Sequence, residues 1–305
     1  MTFDDALAAF LRSRVAAGRK PRTVDWYAQQ VGRFHDWLVG QSWNGSTWLR
    51  PEVIETFLSD ERAAGMADST IAARVRALKI FFGWLVERGY LERDANPMTA
   101  IKPGKLRRPV PRVARPDQVA RLLASIVPRS WVDLRDRVVI QLLDQTGARV
   151  SELVAVTVAD VDIHRRMVLL RQTKSGDPRL VPFRKETVLE LIGYLDARPE
   201  RGDRLFLAAT GHGHAWPDGR GLTDNGVRQM LRRRCETAEI TYLNPHSFRH
   251  GLAMKLMNQG RAPTSLISNI LGHADEKTTK AFYARWESDA LVSAYDEAIG
   301  RADDR

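Results

Sequence analysis

The sequence predicts a mainly α-helical chain, with an all-helical N-terminal domain followed by an α+β domain that carries a small antiparallel sheet. Three observations predict this. Apolar residues recur at helical spacing through the first hundred positions, with no period-2 pattern. The stretch Lys102 to Arg115 then carries Pro103, Pro109 and Pro111, which block helix. Beyond it, runs at 161–171 and 179–181 alternate or are continuously apolar, and they flank the turn-rich Ser175-Gly176-Asp177-Pro178. A chain of 305 residues fits about two domains at ~150 residues each. The expected division is a helical domain over 1–101, a basic linker over 102–115 and a mixed domain over 116–305.

The elements follow in order. Leu7, Phe10, Leu11 and Val15 put one apolar face on a helix from Phe3 to Val15. Thr23 is expected to cap a second helix reaching about Val39, with Val24, Tyr27, Val31, Phe34 and Leu38 on one side. Pro51 suits a third helix start, running to about Ala64. Asp68-Ser69-Thr70 reads as the cap of a fourth, Ile71 to about Glu87, ended by Gly89. Trp26, Trp37 and Trp84 fall within these helices and are expected to pack the core. Helical patterns resume at 116–126, 131–146, 185–197, 224–238, 247–258, 262–271 and 277–286. A last amphipathic helix spans about Ser288 to Ile299, with Leu291, Val292, Tyr295 and Ile299 as its stripe.

Composition narrows the function. Lys and Arg number 47 against 37 Asp and Glu, giving a net charge of +10 and a pI near 10.0. Such a balance points to a polyanion, nucleic acid first and a membrane surface second. The excess is +5 in residues 1–110 and +5 in 111–305, so it does not sit in one tail. The linker holds Lys102, Lys105, Arg107, Arg108, Arg112 and Arg115 with no acid, and that charge could track a phosphate backbone. A single cysteine, Cys235, excludes an intramolecular disulfide framework. The start carries Asp4 and Asp5 where a signal peptide needs basic residues. The most apolar stretch, Ala77 to Val86, contains Lys79 and is far short of the ~18–20 residues that span a bilayer. The expectation is a cytoplasmic protein.

Two segments carry candidate chemistry. In Thr146-Gly147-Ala148-Arg149-Val150-Ser151-Glu152-Leu153, Gly147 ends one helix and a second opens near Ser151, so Arg149 sits at a turn. Glu152 is placed to hold it by a bidentate pair. Taken alone, this segment reads as a structural Arg–Glu pair. In Pro245-His246-Ser247-Phe248-Arg249-His250, a helix puts His246 and Arg249 on one face. Leu271-Gly272-His273 and then Tyr283 follow, and a lone tyrosine at helical spacing is ordinarily a packing residue.

In combination, Arg149, Lys174 of Thr173-Lys174-Ser175-Gly176, His246, Arg249, His273 and Tyr283 resemble the tyrosine recombinase (phage integrase) family in order and context. The resemblance covers nearly the whole chain. The helical half is similar to the family's SAM-like core-binding domain, and residues from about 112 onward to its catalytic domain. The resemblance implies a site-specific recombinase that cleaves and rejoins DNA through a 3′-phosphotyrosyl link and a four-way junction. Tyr283 is then the nucleophile, and Arg149 and Arg249 clamp the non-bridging phosphate oxygens, which suits forked guanidinium donors. Lys174 protonates the leaving 5′ hydroxyl, His273 donates to the phosphate, and His246 moves a proton or contacts the phosphate. These last three roles come from the family. The commonest spacing from the L-G-H histidine to the tyrosine is nine residues, which falls on Phe282. Longer spacings occur in the family and Phe has no nucleophilic atom, so Tyr283, at ten, is assigned.

The resemblance also implies double-stranded recombination sites as partner and a tetramer on DNA, either homomeric or shared with a second recombinase. The segment after Tyr283 would contact a neighbouring protomer. Helices of the core-binding domain enter the major groove, which makes Lys20, Arg22, Arg74, Arg76 and Lys79 candidate DNA contacts beside Lys105, Arg107 and Arg108 of the linker. The lack of an added arm-binding domain resembles the simpler Xer-like members. No cofactor is expected: the chain has no G-x-x-x-x-G-K-[ST] motif, and His212 and His214 lack carboxylates at metal-ligand spacing. Two other readings stand beside this one, a type IB topoisomerase with a similar residue set and a non-catalytic DNA-binding regulator. A mere binder has no need for Tyr283.

Overall fold

The computed structural model describes residues 2–41, 47–102, 112–171, 177–258 and 270–271. The chain forms two compact units, Met1–Pro109 and Val110–Arg305, divided inside the proline-rich basic stretch.

The first unit is built from four helices: α1 (Phe3–Ala16), α2 (Pro21–Gly40), α3 (Pro51–Ala63) and α4 (Asp68–Glu87). A capping box closes the start of α1, where the Asp5 amide donates to Thr2 Oγ1 at 3.1 Å and the Thr2 amide to Asp5 Oδ2 at 3.3 Å. Two expected caps are corrected. The second helix opens at Pro21, not after Thr23, because a proline ring fixes the helical φ at the first position and forgoes an amide that has no partner there. The fourth opens at Asp68, so Asp68-Ser69-Thr70 is its first turn; Ala67 takes the cap position, and Asp68 faces the positive end of the helix dipole.

The helices meet on an aromatic core. Phe10, Phe34, Phe57, Phe81 and Phe82 are fully buried. Phe10 stands edge-on to Phe81 with ring centroids 5.4 Å apart, and Phe34 meets Phe57 at 5.1 Å. Pairs in such geometry contribute about 0.5–1.5 kcal/mol beyond area burial. Trp84 is buried, and Trp26 and Trp37 pack half-buried on this core.

The second unit is organised around α6 (Trp131–Thr146). Val138, Val139, Ile140, Leu142 and Leu143 are all fully buried, and Arg135, Asp136 and Gln141 are buried with them, so this helix is central to the unit. It packs against α5 (Pro116–Ala124), α8 (Glu186–Ala197) and α10 (Pro245–Asn258). Between α6 and α8 lie α7 (Val150–Val154) and an antiparallel sheet of β1 (Val161–Asp162), β2 (Met167–Leu170) and β3 (Arg179–Pro182), in that order. The hairpin region expected from the sequence is thus a three-stranded meander. Val168 pairs with Val181 and Leu170 with Arg179. A further helix, α9 (Asp224–Thr237), is tied to α6 by Arg234, whose Nη2 lies 2.8 Å from Asp136 Oδ2 and 2.7 Å from Asp133 Oδ1. No described helix is long and apolar enough to cross a membrane.

In the first unit Arg74 is only 8% exposed, and its Nη2 lies 2.7 Å from Glu61 Oε2. Breaking a buried ion pair leaves the surviving charge unpaired. Glu61→Ala is therefore expected to destabilise this unit by about 3–5 kcal/mol. Denaturant unfolding measures this, and an unchanged midpoint would refute the pairing.

Candidate active site

The site is assembled where three backbone segments converge. At the end of α6, Gly147 adopts the left-handed conformation, φ +59°. A Cβ there would lie 2.9 Å from Leu271 Cδ2 and 3.0 Å from Leu252 Cδ2, so both the conformation and the space call for glycine. The left-handed cap turns the chain sharply, and Arg149 follows two residues later at the N-cap of α7.

Glu152 is buried beneath Arg149, with its side chain 1% exposed. Its Oε1 accepts from Arg149 Nη1 at 2.7 Å, and its Oε2 accepts from the Arg149 backbone amide at 2.8 Å. The expected bidentate pair between these two side chains is not what forms. The forked partner of Glu152 is Arg179 on β3, with Nη2 to Oε2 at 2.7 Å and Nη1 to Oε1 at 3.1 Å. Burial alone raises the Glu152 carboxyl, but the hydrogen bonds from Arg179 and Arg149 outweigh it and hold the group below its usual value.

Helix α10 brings the second arginine. Asn244 Oδ1 accepts from the Ser247 amide at 3.1 Å and so satisfies a donor at the helix start. The first two turns then carry His246, Arg249 and His250 at i, i+3 and i+4. Arg249 is 6% exposed; its Nη1 donates to the Gly147 carbonyl at 2.8 Å and its Nη2 to the Leu271 carbonyl. The entry of the unit is pinned to the same helix. The Ala114 amide donates to the Ser247 carbonyl at 2.9 Å, and a Cβ on Gly251 would meet the Ala114 oxygen at 2.5 Å.

His246 is solvent-accessible at the start of α10. The protein packed around it, then the charges of Arg228, Arg249 and Arg149, hold its pKa below the usual imidazole value. His246 thus lies within electrostatic reach of both Arg149 and Arg249. Lys174, His273 and Tyr283 lie outside the described residues, as do Lys105, Arg107 and Arg108. Lys20, Arg22, Arg76 and Lys79 are exposed on the first unit. Arg74 departs from expectation: it is committed to Glu61 inside the core and is not placed to meet a phosphate. Among the described residues no three His, Cys, Asp or Glu side chains are grouped to hold a metal ion.

Sequence reasoning missed Arg179. Its signal was the strand alternation: Arg179 shares a face with Val181 and pairs with Leu170, both fully buried. A charged residue at an inward register position calls for a buried counter-charge, and Glu152 supplies it.

Two outcomes follow from this geometry. Gly147→Ala is expected to cost at least about 1–2 kcal/mol from the left-handed backbone alone, read as a lowered Tm. The pH dependence involves His250, whose pKa is pushed down to about 4 by burial, then by His246 and Arg249. Unfolded, it titrates near 6.5. The unfolded chain therefore binds more protons in that window, and the stability His250 contributes is present above about pH 6.5 and lost as the pH falls toward 4. Between pH 7 and pH 5 the wild-type unfolding midpoint should drop more than that of His250→Gln; equal drops would contradict this.

Comparison with known proteins bears on family and fold. The phage integrase family profile matches residues 112–288, and the phage integrase N-terminal SAM-like domain matches residues 8–89. Tyrosine recombinase XerC of Chromobacterium violaceum is 29% identical over 300 residues, covering 98% of this chain and 96% of its own. Tyrosine recombinase XerC of Roseiflexus castenholzii is 32% identical over 288 residues, covering 92% and 88%. The solved structure of the Tn1549 transposon integrase in complex with circular intermediate DNA shares the fold, with a TM-score of 0.73 at 20% identity over 92% of this chain and 95% of that one. With its catalytic profile matched over more than half the chain and its helical unit matched as well, this protein belongs to the phage integrase family and is an Xer-like tyrosine recombinase.

Proposed function

We propose that this chain performs site-specific DNA recombination by breaking and resealing phosphodiester bonds at a site centred on Arg149 and Arg249. The observation that carries this reading is the convergence of the two arginines at the Gly147 turn, with His246 beside them. Phosphoryl transfer needs charge stabilisation on the non-bridging oxygens, an oxygen nucleophile and a proton for the leaving oxygen. The guanidiniums of Arg149 and Arg249 suit the first need. Tyr283 Oη attacks phosphorus as it gives up its proton, with His246 suited to receive it. The bond from phosphorus to the 5′ oxygen breaks, and Lys174 protonates that oxygen. His273 donates a further hydrogen bond to the phosphate. The 3′-phosphotyrosyl bond keeps the ester count constant, so a partner strand's 5′ hydroxyl reseals it by the reverse step.

The depressed pKa of His246 supports its share in this scheme, because a neutral imidazole at pH 7 is ready to accept a proton. The SAM-like unit and the basic linker would hold the duplex through its phosphates. Lys20, Arg22, Arg76 and Lys79, with Lys105, Arg107 and Arg108, are the candidate contacts, and such contacts position without reading sequence. The assembly would be a tetramer on two DNA sites in the cytoplasm, homomeric or shared with a second recombinase, with the segment after Tyr283 contacting a neighbouring copy.

A suicide substrate, a duplex from the native locus nicked beside the cleavage point, is expected to trap a covalent protein–DNA adduct. Tyr283→Phe should abolish the adduct while leaving DNA binding in place. An adduct formed by Tyr283→Phe would assign the nucleophile elsewhere, and failure to cut any site from the native locus would sink the recombinase reading.

A further inference from the structure

The carboxylate of Glu152 is shared unequally between two guanidiniums. Arg179 engages it with both terminal nitrogens, whereas Arg149 gives it one side-chain nitrogen and its backbone amide. Each carboxylate oxygen therefore already accepts two hydrogen bonds, which fills the roughly four lone-pair sites a carboxylate offers. Arg179 also reaches a second segment: its Nε donates to the Ile270 carbonyl at 3.2 Å. Arg249 holds the next carbonyl, that of Leu271. The two arginines thus grip consecutive residues immediately before Gly272 and His273.

We propose that Arg179 is a positioning residue for strand cleavage: by occupying Glu152 with a bidentate pair it keeps Glu152 from capturing Arg149 in the same way, and it ties that pair to the backbone leading into His273. The physical argument is a competition. A buried carboxylate with one guanidinium nearby takes the forked geometry, the strongest available to it. Among the described residues, Arg149 is the other guanidinium that pairs with Glu152. Without Arg179, Arg149 would rotate to give Glu152 both nitrogens and so turn away from a phosphate. With Arg179 in place, Arg149 is steadied through one nitrogen and its amide and keeps the greater exposure, 22% against 12%. A side chain that only stabilised the sheet would have no such effect on Arg149.

This inference rests on Arg149 acting on the phosphate, so the test separates the two. Single-turnover adduct formation on the suicide duplex is measured at saturating full-length protein, with DNA affinity measured alongside. Arg179→Gln is expected to slow cleavage by about 10–100-fold, the scale of a misplaced catalytic group, with affinity changed by less than about threefold. The deciding variant is the double Arg179→Gln, Glu152→Gln. Removing the carboxylate that captures Arg149 should recover at least about fivefold of the lost rate, a non-additive result expected only of directly coupled groups. If Arg179→Gln does not fold, Arg179→Lys is used in both arms, since an ammonium supplies charge without the fork. A single variant that cleaves within about twofold of wild type, or a double variant no faster than the single, overturns the proposal while wild-type adduct still forms. Absence of any wild-type adduct overturns instead the reading of the site.

Discussion

The second unit depends on one buried carboxylate. Glu152 lies on a five-residue helix, too short to hold its own position by backbone hydrogen bonds alone. What holds it is charge. Arg149 binds it from three residues away, and Arg179 binds it from a strand 27 positions along the chain. Arg179 in turn reaches the Ile270 carbonyl, 91 positions further on. One acid therefore organises the turn after α6, the end of the sheet and the approach to the Leu271-Gly272-His273 segment. Removing water from a carboxylate is costly, and only complete pairing of its oxygens repays that cost.

Backbone shape makes this convergence possible. Gly147 turns the chain at the end of α6 in a conformation that side chains resist, and the turn exposes its carbonyl to Arg249. Gly251 lets the segment entering the unit pass against α10, with the Ala114 carbonyl where a methyl group would otherwise stand. A central helix buried on nearly every side gives these segments a rigid reference, since close-packed interiors do not deform continuously. The site is thus a set of side chains held by backbone positions that two glycines permit.

The arginines divide into two populations, which sharpens the meaning of the net charge. Arg74, Arg135, Arg179 and Arg234 are each paired with an acid inside their own unit. An arginine offset by its own acid adds nothing to the +10 of the chain. The surplus resides on groups without an acid to cancel them, and exposed cations such as Lys20, Arg76 and Lys79 are where a polyanion would feel it. A helix of mixed basic and apolar residues does not announce which of its arginines belongs to which population. On α4, Arg74 lies on the same face as Ile71, Leu78 and Phe81, whereas Arg76 and Lys79 lie off it.

The sequence by itself determined the fold class, the division near the basic proline-rich stretch and the family, and by order and context it offered a candidate catalytic set. Those are local or one-dimensional properties: apolar periodicity, proline placement, and motifs such as T-G-A-R-V-S-E-L and H-S-F-R-H. Periodicity also placed α6 and the Phe3 helix closely, because a buried face leaves a regular imprint. It missed the starts of α2 and α4, where a proline or an acid in the first turn competes with a conventional cap. Only the tertiary structure decided that Glu152 takes its forked partner from Arg179, that Arg74 belongs to the core and that Arg249 grips the Gly147 and Leu271 carbonyls. Each of these joins residues far apart in the chain or turns on which side of a helix faces inward. Pairing of that kind is settled by distance and desolvation in three dimensions, and residue type and spacing alone do not encode it.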